Sequence, residues 1–107
     1  MSMRAALALM ILACLAGCTT PYGPYSKLSG TGGYTDKKGS EGQYYIESLT
    51  NVPTGPEKAF EYWHRRASEL CGGKPYTHDA VLTYKRNREL NTIHDWPLVV
   101  GTATCEK

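Results

Sequence analysis

Thr54-Gly55-Pro56-Glu57-Lys58-Ala59-Phe60-Glu61-Tyr62-Trp63-His64-Arg65-Arg66-Ala67-Ser68-Glu69-Leu70-Cys71-Gly72-Gly73 is the stretch that decides how this chain of 107 residues folds. Thr54 is a favoured N-cap, Pro56 falls in the first turn, and Glu57 stands three residues after the cap. That spacing is a capping box, which satisfies two otherwise orphaned backbone donors. At about 100° per residue, Phe60, Trp63, Ala67, Leu70 and Cys71 gather within an arc of about 120°. The pattern predicts an amphipathic helix from about Gly55 to Cys71, with Trp63 near the centre of its apolar side. Glu61, Arg65 and Glu69 are spaced for an i, i+4 ionic ladder worth about 0.2 to 0.5 kcal/mol per pair. Gly72-Gly73 supplies a left-handed stop and Pro75 prevents continuation.

Working outward, Gln43 to Leu49 contains Tyr44, Tyr45 and Ile46 and alternates as a strand before Thr50-Asn51-Val52-Pro53. Tyr76 to Arg86 alternates likewise, Asn87 to Pro97 reads as a long loop, and Leu98 to Cys105 returns as a β-rich strand. The order β-α-β-β predicts a right-handed parallel crossover followed by an antiparallel return. The fold class is therefore α+β, a two-layer β-α-β-β sandwich with one helix on a small mixed sheet. Residues 32–42 are rich in Gly and charge; they leave open whether a short strand forms around Tyr34. From Thr19 to Thr31 two Pro, two Gly and no apolar period read as a flexible tether. Such a segment has a root-mean-square reach of about 20 Å, and about 45 Å when fully extended.

At the other end of the tether, Arg4 precedes an apolar run from Ala5 to Ala16. That run is too short for the roughly 20 residues of a spanning helix and reads as a secretory signal. Its last residues, Leu15-Ala16-Gly17-Cys18, resemble the lipobox of bacterial lipoproteins. The resemblance implies diacylglyceryl transfer to the Cys18 sulfur, cleavage before Cys18 and acylation of the freed amine. A second tripeptide before a cysteine, Ile11-Leu12-Ala13-Cys14, leaves an apolar core of seven residues and a bulky Leu two before the Cys. The organisation is then a lipoprotein signal peptide (1–17), a lipidated Cys18 with its tether (18–31) and a periplasmic α+β domain (32–107). Removing the signal takes Arg4 with it and leaves 11 basic against 10 acidic side chains. So even a balance excludes a nucleic-acid footprint.

Ninety residues bury too little surface for a core alone to be more than marginally stabilising, so a staple is expected. With Cys18 acylated, Cys71 and Cys105 remain, and export supplies the oxidising compartment in which they can pair. Cys71 sits at the helix end beside the apolar arc. Cys105 shares a strand face with Val99, Gly101 and Ala103. The alternative is two separate thiols.

The lipobox, the Gly-rich tether, the Tyr62 to Gly73 helix end and the terminal Val100-Gly101-Thr102-Ala103-Thr104-Cys105 together resemble small proteobacterial lipoproteins of uncharacterised function. That resemblance implies a stapled α+β domain facing the periplasm and brings no catalytic residues. A residue other than Asp after the lipidated Cys, here Thr19, implies sorting to the outer membrane.

Chemistry-bearing residues are dispersed. His64, His78-Asp79 and His94-Asp95 fall on three elements without the local pairing of a metal or acid-base site, so structural or solvated roles are expected. A cysteine nucleophile is removed by the expected disulfide. No cofactor motif is present. Tyr22, Tyr25, Tyr34, Tyr44 and Tyr45 crowd the N-terminal half, where they either fill both faces of a thin sheet or stack on a glycan or partner. Lys85, Arg86 and Arg88 form a basic run beside the long loop, with Trp96 following. Together they are a partner-contact surface with salt-sensitive attraction and an apolar anchor; the alternative is a solvated loop with Trp96 covering the sheet. The expected function is a membrane-anchored envelope lipoprotein, not an enzyme. It is held in the lipid bilayer through acylated Cys18 and binds or scaffolds an envelope protein or anionic envelope component. A small periplasmic hydrolase or metal-binding protein using His78, His94 and Asp95 is the alternative.

Overall fold

The structure is a computed structural model, and residues 19–26, 30–86 and 95–107 are those it describes. The signal segment, Cys18, Arg88 and His94 lie outside them. Six elements follow in order: β1 (Gly32–Lys38), β2 (Gln43–Thr50), α1 (Gly55–Leu70), β3 (Tyr76–His78), β4 (Val81–Arg86) and β5 (Asp95–Cys105). None of the described helices is long and apolar enough to cross a membrane.

One helix packs on one sheet, as the α+β two-layer reading requires. The sheet order is β1-β2-β5, with β3 and β4 both on the far side of β5. His78 pairs with Ala103 and Val81 with Val100, an unchanged register, so β3 and β4 are one strand interrupted at Asp79-Ala80. The interruption comes close to β5: a Cβ on Gly101 would meet the Ala80 Cα at 2.6 Å. There the Thr102 N–H donates to Asp79 Oδ1 at 2.6 Å, a side chain standing in the ladder. The expected mixed sheet is corrected, because every described ladder is antiparallel. β2 and β3–β4 run in the same direction, as the crossover helix demands, but β5 inserts between them and separates the parallel pair.

Alternation divides the sheet into two faces. Ile46, Val99 and Ala103 point at the helix and meet Ala59, Trp63 and Ala67, all six fully buried. Three alanines leave room for the indole, whose Nε1–H donates to the Ile46 carbonyl at 2.8 Å. Trp63 thus satisfies its one polar atom inside the core. At its C-terminal end the helix closes as expected: the Gly73 N–H reaches Ser68 O at 2.9 Å, and the Gly72 N–H reaches Glu69 O at 3.1 Å. With Gly72 and Gly73 at φ 65 and 81, this is a Schellman stop. Cys71 and Cys105 form a disulfide, their Cα atoms 5.4 Å apart, tying the helix end to the last strand. Closing a loop of about 35 residues contributes about 3.8 kcal/mol in the chain-entropy model.

Three local expectations fail, and one cause links them. The segment after Cys18 is not a free tether over 19–26. Thr20 is 1% exposed; its N–H donates to Thr54 Oγ1 at 2.7 Å and its hydroxyl donates to the Thr31 carbonyl. The same hydroxyl accepts from the Asn51 N–H at 2.9 Å, and its carbonyl accepts from Tyr62 Oη at 2.9 Å. Further on, Tyr25 N–H donates to Tyr34 O and Tyr34 N–H to Gly23 O, a short parallel bridge against β1. Gly33 permits it, since a Cβ there would meet the Tyr25 and Pro24 backbone at 2.6 to 2.7 Å. The capping box consequently does not form: Thr54 makes no side-chain cap bond to the helix, its hydroxyl being held by Thr20 and Asn51. Nor does the ionic ladder, because Arg65 lies over the Tyr22 ring at 3.9 Å. Tyr22 in turn rests between Tyr34 and Tyr62 and donates to Glu69. Arg66 completes the clasp, 4.6 Å over Tyr34 and bonded to Asp36 of β1 at 2.7 Å.

Replacing Trp63 separates packing from hydrogen bonding. Trp63→Ala is expected to cost about 3 to 5 kcal/mol, whereas Trp63→Phe keeps most of the volume and removes the indole donor to the Ile46 carbonyl, at about 0.5 to 1.5 kcal/mol. Urea denaturation midpoints check both; equal midpoints for wild type and Trp63→Ala would place the core elsewhere.

Candidate functional site

The helix covers one side of the sheet; among the described residues no helix lies over the other, where Leu49 and Trp96 are buried but Val81 and Tyr45 are exposed. On that second face lie Thr35 of β1, Tyr45, Glu47 and Leu49 of β2, Leu98 and Val100 of β5, and Val81 and Lys85 of β4, placed by register and alternation. Val81 is 58% exposed and Tyr45 41%, large apolar groups without cover. Between them and the docked N-terminal segment runs a cleft of about 170 Å³, lined by Tyr25, Thr35, Glu47, Leu49, Lys85 and Leu98. Its floor is aliphatic and its rim holds one carboxylate and one ammonium. Glu47 is steadied by the Tyr45 hydroxyl, which donates to it at 3.1 Å. The volume suits one apolar side chain or a similar small group, with the two charges at its edge to orient it.

Of the residues singled out in the sequence as a contact surface, Lys85 lies on this face, directly across from Trp96. Arg86 stands at the end of the hairpin, its Nε 3.5 Å from Asp95 Oδ1. Arg88 lies outside the described residues. Trp96, expected as an apolar anchor for a partner, is 5% exposed. It belongs to β5, which begins at Asp95 rather than Leu98, and it covers the sheet instead of projecting from a loop. Pro97 fits within that strand because β2 pairs with β5 only as far as Leu98, so no N–H is required on that side. The alternative constellation of His78, His94 and Asp95 loses its geometry: His78 stands opposite Ala103, about 26 Å along β5 from Asp95. His94 is outside the described residues.

What the sequence spacing hid is a meeting of His64 and His78 across the helix–sheet seam. Their ring centroids are 4.6 Å apart, edge to face, with the Trp63 indole 5.1 and 5.4 Å from them. His64 Nδ1 lies 2.7 Å from Tyr76 Oη, and His78 Nδ1 accepts from the Ala80 N–H at 3.2 Å. The signal was present in two halves: His64 borders the apolar arc beside Trp63, and Tyr76 and His78 share one strand face. Among the described residues no group of three or more His, Cys, Asp or Glu side chains could hold a metal ion. The rings serve here as packing. Burial, and then the neighbouring His78, hold His64 below its ordinary value of 6.5. Burial also raises Tyr76 above its ordinary 10. Tyr22 is held far above the usual phenol range by burial and by its bond to Glu69.

Compared with known proteins, the chain matches no family model, no curated protein and no solved structure. The site therefore rests on this chain's own residues.

A depressed His64 means that the unfolded chain binds a proton more readily than the folded one. That contribution to stability is present above about pH 6.5 and is lost as the pH falls below it. The melting temperature is expected to drop between pH 7.5 and 5.5, and His64→Phe is expected to flatten the drop. Thermal melts across that range check it, and an identical slope in the variant would remove His64 from the acid sensitivity.

Proposed function

We propose that this chain is a lipid-anchored envelope protein that binds another envelope component through the sheet face its helix leaves uncovered. The address comes from Leu15-Ala16-Gly17-Cys18 behind a short apolar run, with acyl groups on Cys18 holding the protein in the bilayer. Three chains on one residue exceed the two signals that stable anchoring takes. Thr19 after the Cys directs it to the outer membrane, with the domain on the periplasmic side. The partner is an envelope protein or an anionic envelope component, and the role is binding rather than catalysis.

The observation that carries the binding reading is the uncovered face itself. It exposes Val81 and Tyr45 beside a cleft rimmed by Glu47 and Lys85. A domain of this size has few apolar side chains to spend, and exposed ones grouped around a concavity mark an interaction surface. Lys85, with Arg86 at the strand end, adds the salt-sensitive attraction that speeds encounter with an acidic partner.

Crosslinking in intact cells tests it. The variant Val81→Thr/Lys85→Ser/Arg86→Ser changes only exposed positions, so its melting temperature is expected to match wild type. Crosslinked yield is expected to fall about tenfold, equivalent to about 1.4 kcal/mol of contact energy. An unchanged crosslinking pattern in the folded variant would remove this face from the account.

A further inference from the structure

The docked N-terminal segment places Thr20 at one end of the sheet. At one end of the sheet, Gly32 of β1 stands across from Thr50 of β2, and Pro97 of β5 across from Tyr84 of β4. The Asn51–Thr54 turn follows Thr50 directly, and Thr20 is bonded to both ends of that turn. Helix α1 starts at this end. The β4–β5 hairpin passes two residues beyond it, to Lys85 opposite Trp96 and Arg86 opposite Asp95. The disulfide, the chain's C-terminus and the turn between β1 and β2 occupy the opposite end. Only Thr19 separates Cys18 from Thr20, and two steps along the chain span at most about 7 Å. The headgroup layer on one side of a bilayer is itself about 5 to 8 Å deep. A chain acylated at Cys18 therefore has no slack between anchor and fold.

We infer that the end of the domain carrying Thr20 and the exposed Val52-Pro53 turn is a membrane-contact surface, resting on the lipid headgroups with the strands directed away from the bilayer. Val52 is 49% exposed, and Pro53 after it and Pro21 after Thr20 are exposed as well, three apolar residues that carry no charge. Such residues enter the headgroup boundary at little desolvation cost. Lys85 and Arg86 lie in register at the same end, Arg86 beside Asp95, and anionic phosphates attract Lys85 over a Debye length of about 8 Å. The uncovered sheet face then stands upright beside the membrane instead of sweeping a radius set by a tether. The inference rests on acylation of Cys18, as proposed above.

The test uses the full-length lipidated protein in phosphatidylethanolamine and phosphatidylglycerol vesicles doped with a lipid that carries a nitroxide on its headgroup. Val52→Trp places a reporter at the proposed contact, and Ser40→Trp places one in the exposed turn at the far end. Trp63 and Trp96 are buried and common to both. Quenching several-fold stronger at position 52 than at 40 is the expected result. Adding Thr20→Val/Tyr22→Ala to Val52→Trp is expected to keep the protein on the vesicles while erasing the difference. Vesicle-bound protein with equal quenching at the two positions, or stronger quenching at 40, overturns the inference and leaves the anchoring intact. Protein that lacks the acyl mass on Cys18 and does not float with vesicles overturns the anchoring reading, and this inference with it.

Discussion

Every polar group of Thr20 is used, and four pieces of chain meet at it. Its N–H holds Thr54 at the start of the helix, and its hydroxyl joins Thr31 before β1 to Asn51 after β2. Its carbonyl takes the Tyr62 hydroxyl from the second turn of the helix. A buried hydroxyl costs free energy unless it is bonded, so the site is stable only when all these segments are in place together. From there the clasp spreads along the helix through Tyr22, Arg65, Arg66 and Asp36, and binds β1 to a face it touches little otherwise. The core of Trp63, Ile46 and Val99 supplies the bulk of the hydrophobic term. The Thr20 node decides how the edges of the fold are closed around it.

Local order and long-range order were unequally legible in the residues. The helix, its Gly72-Gly73 stop and the central placement of Trp63 follow from periodicity and from backbone chemistry within a few positions, and the structure has them as expected. The Cys71–Cys105 bond followed from an inventory of two thiols and a shared apolar layer. The capping box and the ionic ladder read equally well but are absent, because Thr54 and Arg65 are each taken by a residue more than thirty positions away. No local pattern announces such a partner. β1 hides in a Gly-rich run for the same reason: its strand conformation is imposed by pairing with β2 on one side and by the Gly23–Tyr25 bridge on the other. The antiparallel sheet was missed because strand order is not a property of any one segment.

The candidate site divides similarly. Lys85 and Arg86 are exposed at the end of β4, whereas Trp96 is drawn into the sheet because β5 starts early, and the apolar exposure falls to Val81 and Tyr45 instead. The cleft beside them needs Tyr25, a residue of the stretch that reads as tether, so no segment taken singly suggests it. The same docked stretch that completes the cleft also ties Thr20 to the start of the helix. The proposed binding face and the proposed membrane orientation both start from that one arrangement.

The most direct measurement is hydrogen exchange at the Thr20 amide in the folded, disulfide-bonded domain. This N–H, bonded to Thr54 Oγ1 in a site 1% exposed, is predicted to be protected well beyond an open chain and to exchange together with the Tyr25 and Tyr34 amides as one opening unit. Exchange of Thr20 at the rate of an unstructured peptide, with Ile46 still protected, would contradict the account and restore a free tether ahead of the domain.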